Sequence, residues 1–220
     1  MPPARLKVCL VDFALYLITD RMQTAGRTLP AVVADALRGG LRAVQLREKD
    51  LNACQLFDLA VQLREITRRH DAKLLINDRI DVALAVGADG VHLGKAGLPV
   101  PAARRILGAG RLIGYSAHSL EEALLAQDDG ADFVTLGPVY QTPSKSAYGA
   151  PLGLDAVAKA ARSLAIPVFA LGGVKPASVA GILSAGVHGI ALIAAIIAAG
   201  DPAEETEMLL RTIADHAEPS

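Results

Sequence analysis

Cysteine is scarce in this chain of 220 residues, with Cys9 and Cys54 the two present. They have neither metal-ligand spacing nor a paired framework, so a thiolate metal centre and a disulfide-stapled secreted scaffold are not expected, and a reducing cytoplasmic compartment is. An excess of charge is also lacking. Lys and Arg number 22 against 23 Asp and Glu, a net charge of −1, which argues against a nucleic-acid surface and requires any strong positive field to be local. Long hydrophobic runs are absent: Gly189 to Gly200 (GIALIAAIIAAG) falls well below the roughly 20 residues that span a membrane and reads as a buried strand feeding an Ala-rich helix. The opening MPPARLKVCLVDF has too short an apolar stretch for a signal peptide. There is no linker or low-complexity tract either, so a single domain over 1–220, with its core over about 14–215, is expected.

What is present is a regular alternation. Aliphatic runs at 14–20 (ALYLITD), 43–49, 73–78, 90–94, 112–117, 133–140, 167–173 and 189–194 are separated by helix-like segments. Asn52 opens an amphipathic run to His70, and Ser119 with Glu122 has the spacing of a capping box. Strand interiors that are near-continuous Val, Ile, Leu and Ala indicate a parallel sheet covered on both faces, and eight βα units predict a (β/α)8 TIM barrel; an open sheet with helices on both faces is the other architecture compatible with the pattern. VGADG (86–90), DGADF (129–133) and AGVHG (185–189) look like one repeated joint of helix end, glycine turn and next strand.

In such a barrel the reacting groups lie at the C-terminal ends of strands. The stretch VQLREKD places Gln45, Arg47 and Lys49 at every second position, on one face of a strand, with Val44, Leu46 and Glu48 on the other. Asn77 and Asp78 end the third strand, His92 lies in the fourth, Ser116 and His118 end the fifth, and Thr142, Ser144 and Lys145 follow the sixth. Arg47, Lys49 and Lys145 around one mouth suit a compact polyanion such as pyrophosphate; solvated strand-end charges are the plainer account of any one of them. Asp78 has the chemistry to hold Mg²⁺ together with substrate phosphates, or to cap the helix that comes next. Leu171-Gly172-Gly173 and the turn after strand eight resemble the phosphate cradle of this fold. The histidines are either functional or structural, and QTPSKSAYG (141–149) has the composition of a closing loop.

These motifs together resemble a family. QLREKD, INDRIDVAL, GVHLG, IGYSAHSLEEA, GPVYQTPSK and ALGGV, in this order, are similar to thiamin phosphate synthases and the related thiazole tautomerases, over nearly the whole chain from LYLITD onward. The resemblance implies that a pyrimidine diphosphate loses pyrophosphate and a thiazole phosphate captures its methylene carbon. It implies that Gln45, Arg47, Lys49, Asn77, Ser116 and Lys145 surround the pyrimidine diphosphate, with Arg47, Lys49, Ser116 and Lys145 closest to the chemistry. Asp78 would hold Mg²⁺; Thr142 and Ser144 would contact the thiazole; Gly173, Ile193 and Ala194 would hold its phosphate. Two departures stand out. GKAG has Lys95 and Gly97 where the synthases carry glutamine and a second metal-binding aspartate, and Pro138 stands where the tautomerases carry an acid-base histidine. The synthase is the favoured reading, with a tautomerase-like paralogue or a non-catalytic phosphate binder as alternatives; small phosphorylated molecules are the expected partners, without nucleic acid or membrane, in a possible homo-oligomer.

Overall fold

A computed structural model of the protein describes residues 11–141 and 150–217. Eight parallel strands pair in sequence order and close on themselves: β1 Leu15–Ile18, β2 Ala43–Leu46, β3 Lys73–Asn77, β4 Gly90–Leu93, β5 Leu112–Ala117, β6 Phe133–Leu136, β7 Val168–Leu171 and β8 Gly189–Leu192. The helices on the outside are α1 Leu29–Arg38, α2 Ala53–Arg69, α3 Ile80–Ala85, α4 Val100–Leu107, α5 Leu120–Asp128, α6 Gly153–Ser163, α7 Val179–Leu183, α8 Ala194–Ile197 and α9 Pro202–Ala217. This is the (β/α)8 barrel of the sequence pattern, and closure excludes the open sheet.

Strand alternation divides the apolar residues between two cores. Leu15, Leu17, Val44, Leu46, Leu74 and Ile76 point outward and pack beneath the helices. Tyr16, Ile18, Ala43, Leu75, Phe133 and Phe169 point inward and fill the barrel. Three of the chain's 4 phenylalanines, Phe13, Phe133 and Phe169, sit in this interior, with neighbouring ring centroids 5.3 to 5.7 Å apart. Each buried phenylalanine contributes about 2–3 kcal/mol by leaving water. Room for the rings is made by Gly114, since a Cβ there would run into His92 Nδ1 and the Phe133 ring.

The repeated joint has a common physical basis. Gly87, Gly130 and Gly186 all have positive φ, at 63°, 96° and 85°, which ends each helix without a Cβ clash. The residue two positions on then donates its N–H to the preceding strand: Asp89 to Leu74 O at 2.9 Å, Asp132 to Ile113 O at 2.8 Å and His188 to Val168 O at 3.0 Å. In the two acidic joints the carboxylate accepts the strand's N–H and an arginine from the helix before. Asp89 Oδ2 takes Leu74 N at 2.8 Å and Arg64 at 2.6 Å; Asp132 Oδ2 takes Ile113 N at 2.8 Å and Arg104 at 2.6 Å.

Two sequence expectations need correction here. Strand β2 ends at Leu46, so Arg47 and Lys49 lie in the next turn rather than on a continuing strand; likewise β6 ends at Leu136 and β8 at Leu192. Asn52 and Gln55 form a complete capping box at α2, but at α5 the box is half made. Ser119 Oγ accepts Glu122 N at 3.1 Å, while the Glu122 carboxylate reaches back to His118 N at 2.9 Å.

Replacing Asp132 by alanine leaves the Ile113 N–H and the Arg104 guanidinium without their shared acceptor. We expect a loss of about 2 kcal/mol in urea unfolding, and a coupling between Asp132→Ala and Arg104→Met in a double-mutant cycle.

Candidate active site

The C-terminal ends of β2 to β5 form a continuous polar rim. Gln45, 1% exposed on the inner face of β2, donates from Nε2 to Asn77 Oδ1 at 3.4 Å. Asn77 Nδ2 donates to Asp78 Oδ2 at 2.9 Å, and the Gly94 N–H beyond β4 donates to Asp78 Oδ1 at 3.0 Å. Three strand ends are thus linked through side-chain amides and one carboxylate. Asp78 has φ 56°, in the left-handed region that Asp and Asn tolerate better than most residues. It is not the cap of α3: Arg79 occupies that position and makes no side-chain cap bond. The left-handed turn instead directs the Asp78 carboxylate across to the β4 turn.

Below the rim, Ser116 Oγ lies 3.0 Å from Nε2 of His92, a histidine 1% exposed in the barrel interior. Tyr16 OH approaches His92 Nδ1 at 3.4 Å and Thr135 Oγ1 approaches Nε2 at 3.4 Å. Burial raises the Tyr16 pKa well above the ordinary phenol value, so the hydroxyl keeps its proton. His92 therefore supports Ser116 from beneath rather than facing the mouth. His118 bonds through Nδ1 to the Gly137 carbonyl at 2.7 Å; the carbonyl only accepts, so Nδ1 carries the proton, and the ring ties the turn after β5 to that after β6.

The charged stretch after β2 sorts by sign. Glu48 is buried and accepts hydrogen bonds from Thr19 and Arg21. Arg47 is half-buried and Lys49 exposed, and among the described residues neither side chain has an ion-pair or hydrogen-bond partner. Lys95 does not turn towards Asp78; its ammonium lies 3.9 Å from Glu122 with the side chain 84% exposed.

Opposite this rim, Gly172 and Gly173 have φ 96° and 68°. A Cβ on Gly173 would stand 2.7 Å from Tyr140 Cβ and 2.8 Å from its carbonyl oxygen, and one on Gly172 would stand 2.7 Å from Pro138 Cα. The glycines let the turn after β6 lie against the turn after β7, where Tyr140 N donates to Gly172 O at 3.0 Å. Ile193 is the residue before α8 and Ala194 begins it; Arg27 donates to the carbonyls of Ile197 and Ala199 at 3.3 and 2.6 Å, holding that short helix against the turn after β1. Thr142, Ser144 and Lys145, with most of the 141–149 loop, lie outside the described residues.

Gly97 is adjacent to Asp78. Its φ is not positive, so its backbone is open to any L-residue, but an added Cβ would come 2.5 Å from Asp78 Oδ1. Among the described residues no group of three or more His, Cys, Asp or Glu side chains is placed to hold a metal. The set at this corner is one carboxylate, already in contact with an N–H and an amide.

Arg21, Thr19 and Glu48 have no role in the sequence pattern. Arg21 gives little local signal, since its partners Glu48 and Asp50 are 27 and 29 residues away.

Taken together, these residues define a (β/α)8 barrel whose C-terminal rim, the face where this fold places its chemistry, gathers the Asp78 carboxylate, the Ser116 hydroxyl and two cations, Arg47 and Lys49, that have no ion-pair partner among the described residues. Residues 15–196 match the family described as thiamine monophosphate synthase. A putative thiamine-phosphate synthase of Geobacter sulfurreducens is 58% identical, over 91% of this chain and 94% of its own length. The thiamine-phosphate synthase of Chloroflexus aurantiacus is 45% identical, over 87% of this chain and 88% of its own. The solved thiamine phosphate pyrophosphorylase from Pyrococcus furiosus superposes with a TM-score of 0.86 at 37% identity, covering 93% of this chain and 97% of that one. The chain belongs to the thiamine monophosphate synthase family.

The buried Tyr16 yields a pH prediction. Its pKa is raised in the folded state, so the stabilisation is fully present below the unfolded value near 10 and is lost as pH rises towards the folded value. Unfolding free energy should therefore fall above pH 10 with a slope of about 1.4 kcal/mol per pH unit for this one proton. Tyr16→Phe should remove that component in denaturant titrations, leaving the smaller one from Tyr115, whose pKa is also raised by burial.

Proposed function

We propose that the protein condenses hydroxymethylpyrimidine diphosphate with thiazole phosphate, giving thiamin phosphate and pyrophosphate, in the cytosol. The observation that carries the reading is the pair of cations, Arg47 and Lys49, without partners among the described residues and on the same rim as Asn77, Asp78 and Ser116. Membership of the family supports the activity. The C–O bond between the pyrimidine methylene and the diphosphate breaks, the bonding pair leaves with pyrophosphate, and the thiazole nitrogen donates its lone pair to the methylene carbon. Negative charge grows on the leaving oxygen as positive charge grows on carbon. Arg47 and Lys49 meet the first of these, and Lys145 is assigned to the same task. Gln45 and Ser116 orient the pyrimidine ring, Ser116 with its hydroxyl fixed by His92. Asn77 positions Asp78. Thr142 and Ser144 are assigned to the thiazole, and the turns at Gly173 and at Ile193 and Ala194 to its phosphate.

Mg²⁺ fits this corner only in part. One carboxylate, Asp78, would hold it, with the remaining positions supplied by diphosphate oxygens and water, the usual manner of Mg²⁺ beside phosphates. When bound, the ion would neutralise charge on the departing pyrophosphate. Pro138 in place of a proton-transferring side chain weighs against the tautomerase reading.

Purified protein given both substrates with Mg²⁺ should form thiamin phosphate, and Arg47→Ala should lower kcat/KM by about 10²-fold. No product from the wild type under these conditions overturns the proposal. Mg²⁺ should bind weakly alone and far better with pyrophosphate. Gly97→Ala should weaken that joint binding by crowding the Asp78 carboxylate, and Gly97→Asp, which brings the same Cβ together with a further carboxylate ligand, should bind Mg²⁺ more tightly than Gly97→Ala; calorimetry on the three proteins reads this without an activity assay.

A further inference from the structure

The sequence Arg47-Glu48-Lys49-Asp50 carries two positive and two negative charges. Taken as a short segment it is neutral and a poor place to hold a polyanion. In the folded protein the two signs are separated. Glu48, its side chain 3% exposed, turns in between β1 and β2 and accepts hydrogen bonds from Thr19 Oγ1 at 2.6 Å, from Arg21 N at 3.1 Å and from Arg21 Nη1 at 3.2 Å. The same guanidinium then spans to Asp50, donating from Nη1 to Oδ1 at 2.6 Å and from Nη2 to Oδ2 at 2.5 Å. Thr19 Oγ1 also accepts the backbone N–H of Arg47 at 2.9 Å, so the turn that carries the cations is fixed to the end of β1. The Asp50 carboxyl is held below its usual pKa by the hydrogen bond from Arg21.

We propose that Arg21 is a positioning residue for the anion site: by pairing with both Glu48 and Asp50 on the β1 side, it draws the two carboxylates away from the rim and raises the local charge from zero to +1, leaving Arg47 and Lys49 as the cations of the β2 rim without an ion-pair partner among the described residues. The inference rests on the reading of that rim as a diphosphate site. Without Arg21, the segment returns to two cations beside two anions. A multiply charged ligand then meets repulsion close to each attraction, which at a solvent-facing site and moderate salt weakens binding by about tenfold. A bidentate arginine suits this task because one planar fork reaches both oxygens of Asp50 while an Nη still contacts Glu48. A role confined to bracing the turn after β1 would use the same bonds, so the test must separate charge from bracing.

Inorganic pyrophosphate, titrated calorimetrically into the full-length protein with and without Mg²⁺, provides the probe. Arg47→Ala reports on the site itself; if it leaves pyrophosphate affinity unchanged, the diphosphate reading fails and the inference falls with it. If Arg47→Ala weakens binding, Arg21→Ala is expected to weaken it by about tenfold, and unchanged affinity in Arg21→Ala overturns the inference alone. The deciding variant is Arg21→Ala with Asp50→Asn. Removing the carboxylate charge should recover affinity to within about threefold of wild type, whereas a brace is not restored by a second substitution that removes its other half. A double variant as weak as Arg21→Ala overturns the proposal. Asp50→Asn alone should bind pyrophosphate as tightly as wild type or more tightly, and weaker binding would indicate bracing. Arg21→Lys, which retains the charge should Arg21→Ala not fold, should stay within about threefold of wild type; a tenfold loss there also overturns the charge role.

Discussion

Closing eight parallel strands into a ring confines every second side chain of each strand to an interior that must be filled. The rest of the molecule depends on how that interior is shared. Towards the strand N-termini it is occupied by Phe13, Tyr16, Phe133 and Phe169, in contact with one another and excluding water. Further along the same inward positions the aromatic residues give way to His92, Thr135, Gln45, Asn77 and Ser116, a polar layer whose members bond to each other. The transition is built by size as well as polarity: Gly114 leaves the space into which His92 and Phe133 fit. A polar group at this depth is tolerable because each finds a partner, and the hydrogen-bonded layer becomes a rigid floor beneath the mouth.

The barrel was legible in the sequence because both faces of its strands are buried, so each strand reads as an apolar run between glycine turns. The place of Gln45, Asn77 and Ser116 at strand ends was legible for the same reason, and for Gln45 the period of two also held, since it survives wherever the strand does. Reading that period through to Lys49 overreached. The strand stops at Leu46, and the chain continues into a turn whose side chains are directed by hydrogen bonds from β1. Those bonds join residues close in space and far apart in sequence, so neither periodicity nor propensity could reveal Arg21 as the partner of Glu48 and Asp50. The cap, the alternative to a metal-ligand role for Asp78, fails for a related reason: the left-handed φ depends on the β3–β4 turn geometry and is not encoded by the Asn-Asp pair.

A net charge of −1 for the whole chain is no obstacle to holding an anion, because the field a small ligand meets is set by which charges lack close partners. Two acidic residues on the barrel's opposite end are engaged in a similar way. Asp89 and Asp132 are paired with Arg64 and Arg104, and each also accepts a strand N–H. There the pairs serve the joints between helix and strand, and each carboxylate is matched by one guanidinium. On the rim after β2 a single guanidinium meets two carboxylates, and two cations remain.

The relation between Gly97 and Asp78 carries the same logic to the metal corner. The resemblance to the synthases puts a second carboxylate at position 97, and a Cβ there would contact the Asp78 oxygen in its present position. With glycine at 97, Asp78 occupies that approach and satisfies its oxygens with the Gly94 N–H and the Asn77 amide. A left-handed backbone at a non-glycine residue costs about 1–2 kcal/mol, and the two hydrogen bonds offset a cost of that size. A carboxylate so engaged has fewer lone pairs and less field to offer a bare cation than a pair of free carboxylates has. On the proposed function, that remaining affinity would be best used when a diphosphate brings further oxygens and negative charge, so glycine at 97 would make binding of Mg²⁺ and of substrate depend on each other.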